Sequence, residues 1–411
     1  MKKKLIILLF FILTLAYLEQ VFHYIVSPID INNYYASNSL INYSAGFVRR
    51  GISGEIIKFI SQNTNIGVLN LLKITNVFLF FLIVLYFFRE FIKKNISLFF
   101  ILLPYTLFYL FKEQSVNLKD LISLVIFILI NKMLIYGQKK IFRYNRFYQY
   151  FVINILAIIG VLNHEMFFFL FLPSVILMYC CLDSDFSLKN IGFQLLLFFP
   201  VIIAFLITSL YIGSPEQSQI IFNDIARITH SESVTNQFTS KIEFFLIPMF
   251  KTFSNGFSRG VIYLVFFIFI IYLLSNFDKI LFSFRDDNDK KIKTLDSTLL
   301  LFSFMVLNIF CIPLYILAFD WFRFLNMSLL FSLIIGLTLF DFQIKLPFIV
   351  YKIHQWIKNK FDFFIISNIN NVLFVAMFCI IPHYKFGNTY FQFSNTFIIV
   401  INFFSKLISI L

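Results

Sequence analysis

Apolar runs of membrane-spanning length recur along the chain, separated by short polar connectors. After Met1–Lys4 a first run extends from Leu5 to about Val26. Others follow at roughly 67–88, 97–111, 118–136, 191–212, 259–277, 297–318, 324–343, 362–382 and 392–410. Each approaches the ~20 residues a helix needs to cross about 30 Å of hydrocarbon. The first run resembles a signal peptide, but it is too long for an h-region and no small-residue cleavage site follows. It reads as a signal anchor with its lysines inside. The stretch Tyr148–Leu182 is apolar apart from an interruption at Asn163, His164 and Glu165, and it is either one overlong helix or a tight pair. A pair puts the basic connectors at 89–96, 137–147, 278–295 and 344–361 on one side, as the positive-inside rule requires. A single helix would turn Lys279, Arg285, Lys290, Lys291, Lys293, Lys345, Lys352, Lys358 and Lys360 outward. The pair is the consistent reading. The chain is therefore predicted to be all-α, a polytopic transmembrane bundle of about 12 helices with both termini cytoplasmic. Residues 1–411 form a single membrane domain, with extracytoplasmic loops at about 27–65 and 213–258.

Composition supports this class. Hydrophobic residues make up 60% and charged residues only 13%, Phe numbers 62, and the mean hydropathy is +0.85. A soluble domain needs roughly a quarter of its residues charged to cover its exterior. The net charge of +13 does not indicate a nucleic-acid partner, because Lys and Arg are dispersed through short loops instead of gathering in one basic domain. Cys180, Cys181, Cys311 and Cys379 sit in apolar runs without CxxC spacing and read as packing residues.

The irregular polar sequence lies on the predicted outer side, and four constellations stand out there. The first is Gly46-Phe47-Val48-Arg49-Arg50-Gly51, followed by Ile52, Ile56, Phe59 and Ile60 at helical spacing. That spacing predicts an interfacial amphipathic helix in the first outer loop. Two arginines ahead of its first turn suit phosphate oxygens, and the competing reading is contact with lipid headgroups. The second is Asn163-His164-Glu165, in a turn between two short helices that would draw it below the outer surface. There Glu165 is a candidate general base, its pKa raised by burial, with His164 orienting it or taking its place. The alternative is a structural hydrogen bond between helices. The third is Asp320-Trp321-Phe322-Arg323, where Asp320 and Arg323 have the spacing of an ion pair at a helix start, or Trp321 is simply interfacial. The fourth, Lys119 and Asp120 with Lys112 and Glu113, surrounds another helix start, where Asp120 favours the helix dipole. The long outer loop adds charges without a recognisable spacing. No metal-ligand set and no cofactor fingerprint is visible.

The whole layout, together with GFVRRG at 46–51, NHE at 163–165 and DWFR at 320–323, resembles the bacterial O-antigen and capsular polysaccharide polymerases of the Wzy type. The three strings look like motifs of a poorly characterised group of bacterial membrane proteins placed near them. The resemblance implies joining of undecaprenyl-pyrophosphate-linked oligosaccharide units at the outer face of the bacterial inner membrane, without cofactor or metal. A flippase and a chain-length regulator are the protein partners it implies. Under it, Glu165, His164 and Asp320 are candidates for the base, and Arg49, Arg50 and Arg323 for the pyrophosphate. Glu55, Lys119 and Asp120 are secondary candidates. The alternatives are a GT-C type glycosyltransferase using a polyprenyl-phosphate sugar, for which only Asp30 and Glu55 offer acids in the first outer loop, and a lipid or oligosaccharide transporter.

Overall fold

The computed structural model describes residues 18, 21–22, 24–29, 34–94, 96, 116–138, 146–211, 213–229, 264, 267–268, 270–275, 295–317, 321–362, 383–385 and 392–394. The run expected at 97–111, that at 362–382 after Asp362, and most of those at 5–26, 259–277 and 392–410 lie outside these residues. The described helices are α1 (Tyr34–Ser39), α2 (Ile52–Thr64), α3 (Val68–Lys93), α4 (Leu118–Gln138), α5 (Arg146–Asn163), α6 (Met166–Asp183), α7 (Leu188–Leu197), α8 (Phe199–Leu210), α9 (Pro215–Thr229), α10 (Ser297–Phe310), α11 (Ile312–Leu317), α12 (Trp321–Leu339) and α13 (Phe348–Asp362). Two three-residue strands, β1 (His383–Lys385) and β2 (Gln392–Ser394), pair antiparallel. β2 therefore occupies the start of the run expected to be helical from 392.

Tyr148–Leu182 is a helix pair, with the turn at His164 and Glu165. Gly160 permits the tight return, since a Cβ there would lie 2.5 Å from the Phe167 ring. The run expected at 191–212 is bent by 62° between α7 and α8. Pro200, in the first turn of α8, has no N–H to continue α7, and the chain breaks at Phe198.

Helix α6 is apolar all round and central, packing against α5, α10 and α12. Facing α12 and α4, the rings of Phe127 and Phe331 stack with centroids 4.0 Å apart, and Phe167 meets Phe331 edge-on. Outward, α3 carries Ile74, Phe78, Phe81, Leu85, Phe88 and Ile92 exposed at alternating steps of four and three. Such a stripe on a 26-residue helix suits hydrocarbon and not water. Among the described residues two helices, α3 and α6, are long and apolar enough to cross a membrane, or three spans if bent α7–α8 is counted as one.

Lipid offers helices no hydrophobic drive to associate, so close packing and polar links must hold them. Gly336 on α12 does the first: a Cβ there would approach Leu300 of α10 to 2.5 Å. Asn154 Nδ2 donates to Leu197 O at 3.1 Å, tying α5 to the end of α7.

The segment 344–361, expected as a basic connector, contains α13, which the sequence reading did not anticipate. Its apolar positions are split between a buried stripe (Val350, Ile357, with His354 between them) and an exposed one, so no single face is evident from the pattern.

Candidate functional site

The loop that precedes α2 folds over one end of the bundle. Tyr43 N–H donates to Glu55 Oε2 at 2.9 Å, closing the loop back onto α2. Glu55 thus has a structural partner in the loop backbone. Gly54 lets α2 sit directly on the loop backbone, because a Cβ would be 2.0 Å from Ile41 O. At the loop's end Arg50 adopts a left-handed conformation, φ 65°, and Gly51 beneath the Tyr43 ring leaves no room for a side chain. That turn aims both arginines at the α5–α6 turn. Tyr211 and residues of the segment 213–229 hold the assembly from the other side. Arg49 N–H donates to Tyr211 O at 3.2 Å, Gln217 Nε2 to Ala45 O at 3.1 Å, and Asp224 on α9 accepts from Lys58 (2.7 Å), Asn42 (3.1 Å) and Arg227 (2.6 Å).

Arg50 grips Glu165 with two prongs, Nε to Oε2 at 2.7 Å and Nη2 to Oε1, and Arg49 Nη1 lies 3.5 Å from Oε1. The expected effect of burial on Glu165 is present and would raise its pKa, but the Arg50 and Arg49 guanidiniums beside it overrule burial. They hold the carboxyl well below its usual range. His164 is buried, and burial followed by the nearby Arg50 charge keeps its imidazole neutral, with a pKa well below the usual histidine value. Its Nδ1 accepts Met166 N–H at 3.1 Å, which puts the ring proton on Nε2. That Nε2 is buried with no hydrogen-bond partner.

Two further pieces come from α4 and α12. Asp120 and Arg323 form a bidentate pair, Nε to Oδ2 at 2.7 Å and Nη2 to Oδ1 at 2.6 Å, both side chains buried. The spacing of Asp320 and Arg323 had suggested a local pair at the start of α12. Arg323 reaches across to Asp120 on α4, and Asp320 lies outside the described residues. Lys119 is fully buried, its Nζ 3.3 Å from Asn38 Oδ1, within electrostatic reach of Arg50, Glu165, Arg323 and Arg49. Asn163 Nδ2 binds Lys119 O at 2.9 Å and pins the α5–α6 turn to α4.

Arg49, Arg50, His164, Glu165, Lys119, Asp120 and Arg323 therefore form one cluster, contributed by four separate parts of the chain. Sequence reasoning missed Asn38 and Asn117. Each is buried with an amide Nδ2 that finds no partner, and each sits in a polar stretch where nothing distinguishes it from its neighbours. Arg49 and Arg50 face the Glu165 carboxylate and Arg323 faces that of Asp120, with Lys119 within electrostatic reach. Unpartnered buried N–H donors beside guanidinium groups suit an anion or hydroxyl oxygens. Among the described residues no three His, Cys, Asp or Glu side chains come together as a metal site.

A family model described as "Uncharacterised membrane protein Rv1490" matches residues 5–166. The chain is a membrane protein with helical spans. The matched part is similar to that family and takes in every member of the cluster except Arg323. No curated protein and no solved structure matches the chain.

Proposed function

We propose that the protein joins undecaprenyl-pyrophosphate-linked oligosaccharide units at the outer face of the bacterial inner membrane, as a single bundle of about 12 helices with cytoplasmic termini. One observation carries this reading. A cluster that brings Arg49, Arg50, Arg323 and Lys119 together also presents the unpartnered buried donors of His164, Asn38 and Asn117. A lipid pyrophosphate needs charge neutralisation at its leaving oxygen, and a sugar needs hydrogen-bond partners beside it.

In the reaction an acceptor hydroxyl attacks C1 of the donor sugar, and the C1–O bond to pyrophosphate breaks. Undecaprenyl pyrophosphate leaves with the bonding electrons, and the hydroxyl proton passes to a base. Arg50 is the ligand that the incoming pyrophosphate takes over from Glu165. The exchange removes the guanidinium that suppresses Glu165 basicity, so the carboxylate becomes competent only when substrate is bound. Asp120 orients Arg323 toward the same phosphates, and His164 Nε2–H supports a sugar hydroxyl.

The test is substitution of Arg50 or Glu165 by Ala in the producing cell, followed by analysis of polysaccharide chain length. Single repeat units on the lipid carrier are expected. Unchanged long chains at normal protein level would remove both residues from the mechanism.

A further inference from the structure

Helix α12 starts at the arginine cluster and ends, some 28 Å away at 1.5 Å per residue, in a second group of charges. There Lys94, at the end of α3, lies 3.5 Å from Asp341 and over the Phe340 ring, while Glu90 binds Lys132. Helix α13 follows at this far end. It rests on α10 through Val350, His354 and Ile357, all buried at spacings of four and three. His354 fixes the contact: Thr298 Oγ1 lies 3.2 Å from Nδ1, and Nε2 donates to Ser275 O at 3.3 Å.

With that stripe docked, the remaining apolar residues point away from the protein. Phe348 is 72% exposed, Ile349 61%, Ile353 49% and Trp356 63%. Lys345, Lys352 and Lys360 are exposed on and beside the same surface, and Lys358 is half-buried. Lys352 lies along the Phe348 ring, its Nζ 4.8 Å from the centroid, an arrangement that lets an aliphatic stem cover apolar surface while the ammonium reaches outward. Asp362 at the last position is the only acidic residue in the helix. An apolar groove on a partner protein would account for the aromatic face but not for the lysines bordering it. A bilayer interface with anionic headgroups accounts for both, because the ring systems sit at the acyl boundary and the ammonium groups reach the phosphates.

We infer that α13 lies in the plane of the membrane surface on the side opposite the arginine cluster and binds anionic phospholipid. Phe348, Ile349, Ile353 and Trp356 enter the acyl boundary, and Lys345, Lys352 and Lys360 contact the headgroup phosphates. This surface is independent of the glycosyl-transfer reading and stands or falls without it.

The chain has two tryptophans, so W321F leaves Trp356 as the sole indole reporter. The full-length variant is reconstituted in nanodiscs of phosphatidylcholine with and without about a third phosphatidylglycerol. Quenching is read with acrylamide and with lipid brominated just below the headgroup. Strong quenching by brominated lipid, acrylamide quenching several-fold weaker than for free tryptophan, and a blue shift on adding phosphatidylglycerol are expected. The shift should vanish in K345Q/K352Q/K360Q. Free access of acrylamide, or shielding from acrylamide and brominated lipid alike, would overturn membrane seating. Identical behaviour with and without phosphatidylglycerol would overturn the anionic preference. If W321F does not fold, the same quenching is read as the difference between the natural protein and W356F.

Discussion

Arg323 and Asp120 stand 203 positions apart, yet they meet in a buried two-pronged ion pair. The pair closes α12 against α4 at the end of the bundle where Arg50 meets Glu165. Removing one member leaves the other charge buried and uncompensated, which costs about 3–5 kcal/mol. Arg323→Ala is therefore expected to lower the unfolding temperature of the purified protein in detergent markedly, and Asp120→Ala to do the same. The double variant should recover much of the loss, so unfolding of all four proteins measures the coupling. Additive losses would show that the two side chains are not linked.

Arg50 and Glu165 make opposite predictions for anion binding. Arg50→Ala should weaken inorganic pyrophosphate binding at least about tenfold, in line with the ~1.5–3 kcal/mol of a charge-assisted hydrogen bond. Glu165→Gln removes the carboxylate that competes for the same guanidinium, so it should bind pyrophosphate more tightly while losing transfer. Calorimetric titration in detergent measures the first effect and chain-length analysis the second. Weaker pyrophosphate binding by Glu165→Gln would contradict the exchange of partners at Arg50.

The buried turn should make the protein acid-sensitive in two stages. His164 has its folded pKa lowered by burial and then by Arg50, so below the ordinary value of 6.5 the unfolded chain takes up protons that the folded one refuses. Stability therefore falls as pH drops through that value. Glu165 also has a lowered folded pKa. Its contribution is complete above the ordinary value of 4.5 and is lost as pH falls below it toward the depressed folded value. Lys119, Arg49 and Arg323 face the same turn and remain in place in either variant. His164→Gln should flatten the first stage and Glu165→Gln the second, each read as a difference from the natural protein in unfolding temperature against pH.

Two glycines should respond in opposite ways to a single methyl group. Gly54→Ala drives a Cβ to within 2.0 Å of Ile41 O, a contact with backbone that no rotamer relieves. Loss of a monodisperse folded species on size exclusion is expected. Gly192 on α7 has open space around its Cβ position, so Gly192→Ala should be tolerated and gain up to about 1 kcal/mol from helix propensity.

Elements with a local signature were legible in the sequence. The Tyr148–Leu182 pair followed from the position of Asn163, His164 and Glu165 together with loop charge, and α3 and α4 followed from unbroken apolar length. The candidates Arg49, Arg50, His164, Glu165 and Arg323 were chosen because they are ionisable groups at helix ends, and the fold brings all five together. Their partners were not legible. Nothing in the spacing of Asp320 and Arg323 reveals that Asp120 takes the guanidinium, because that pairing depends on how α4 and α12 approach in space. Asn38 carries no motif, and α13 was hidden because its apolar residues divide between two faces. The sign of the Glu165 shift failed for a related reason: burial is visible in a sequence, whereas the charge that overrules it comes from 115 residues away.

Between the two charged ends of α3, α4 and α12 lies the stack of Phe127 on Phe331, backed by Phe167 and Phe171, all fully buried. Aromatic faces interlock only over a narrow range of offsets, so this layer sets the register of α4, α6 and α12 against one another. A change of shape in any one of the four rings is transmitted to the helices that carry the charge clusters at either end.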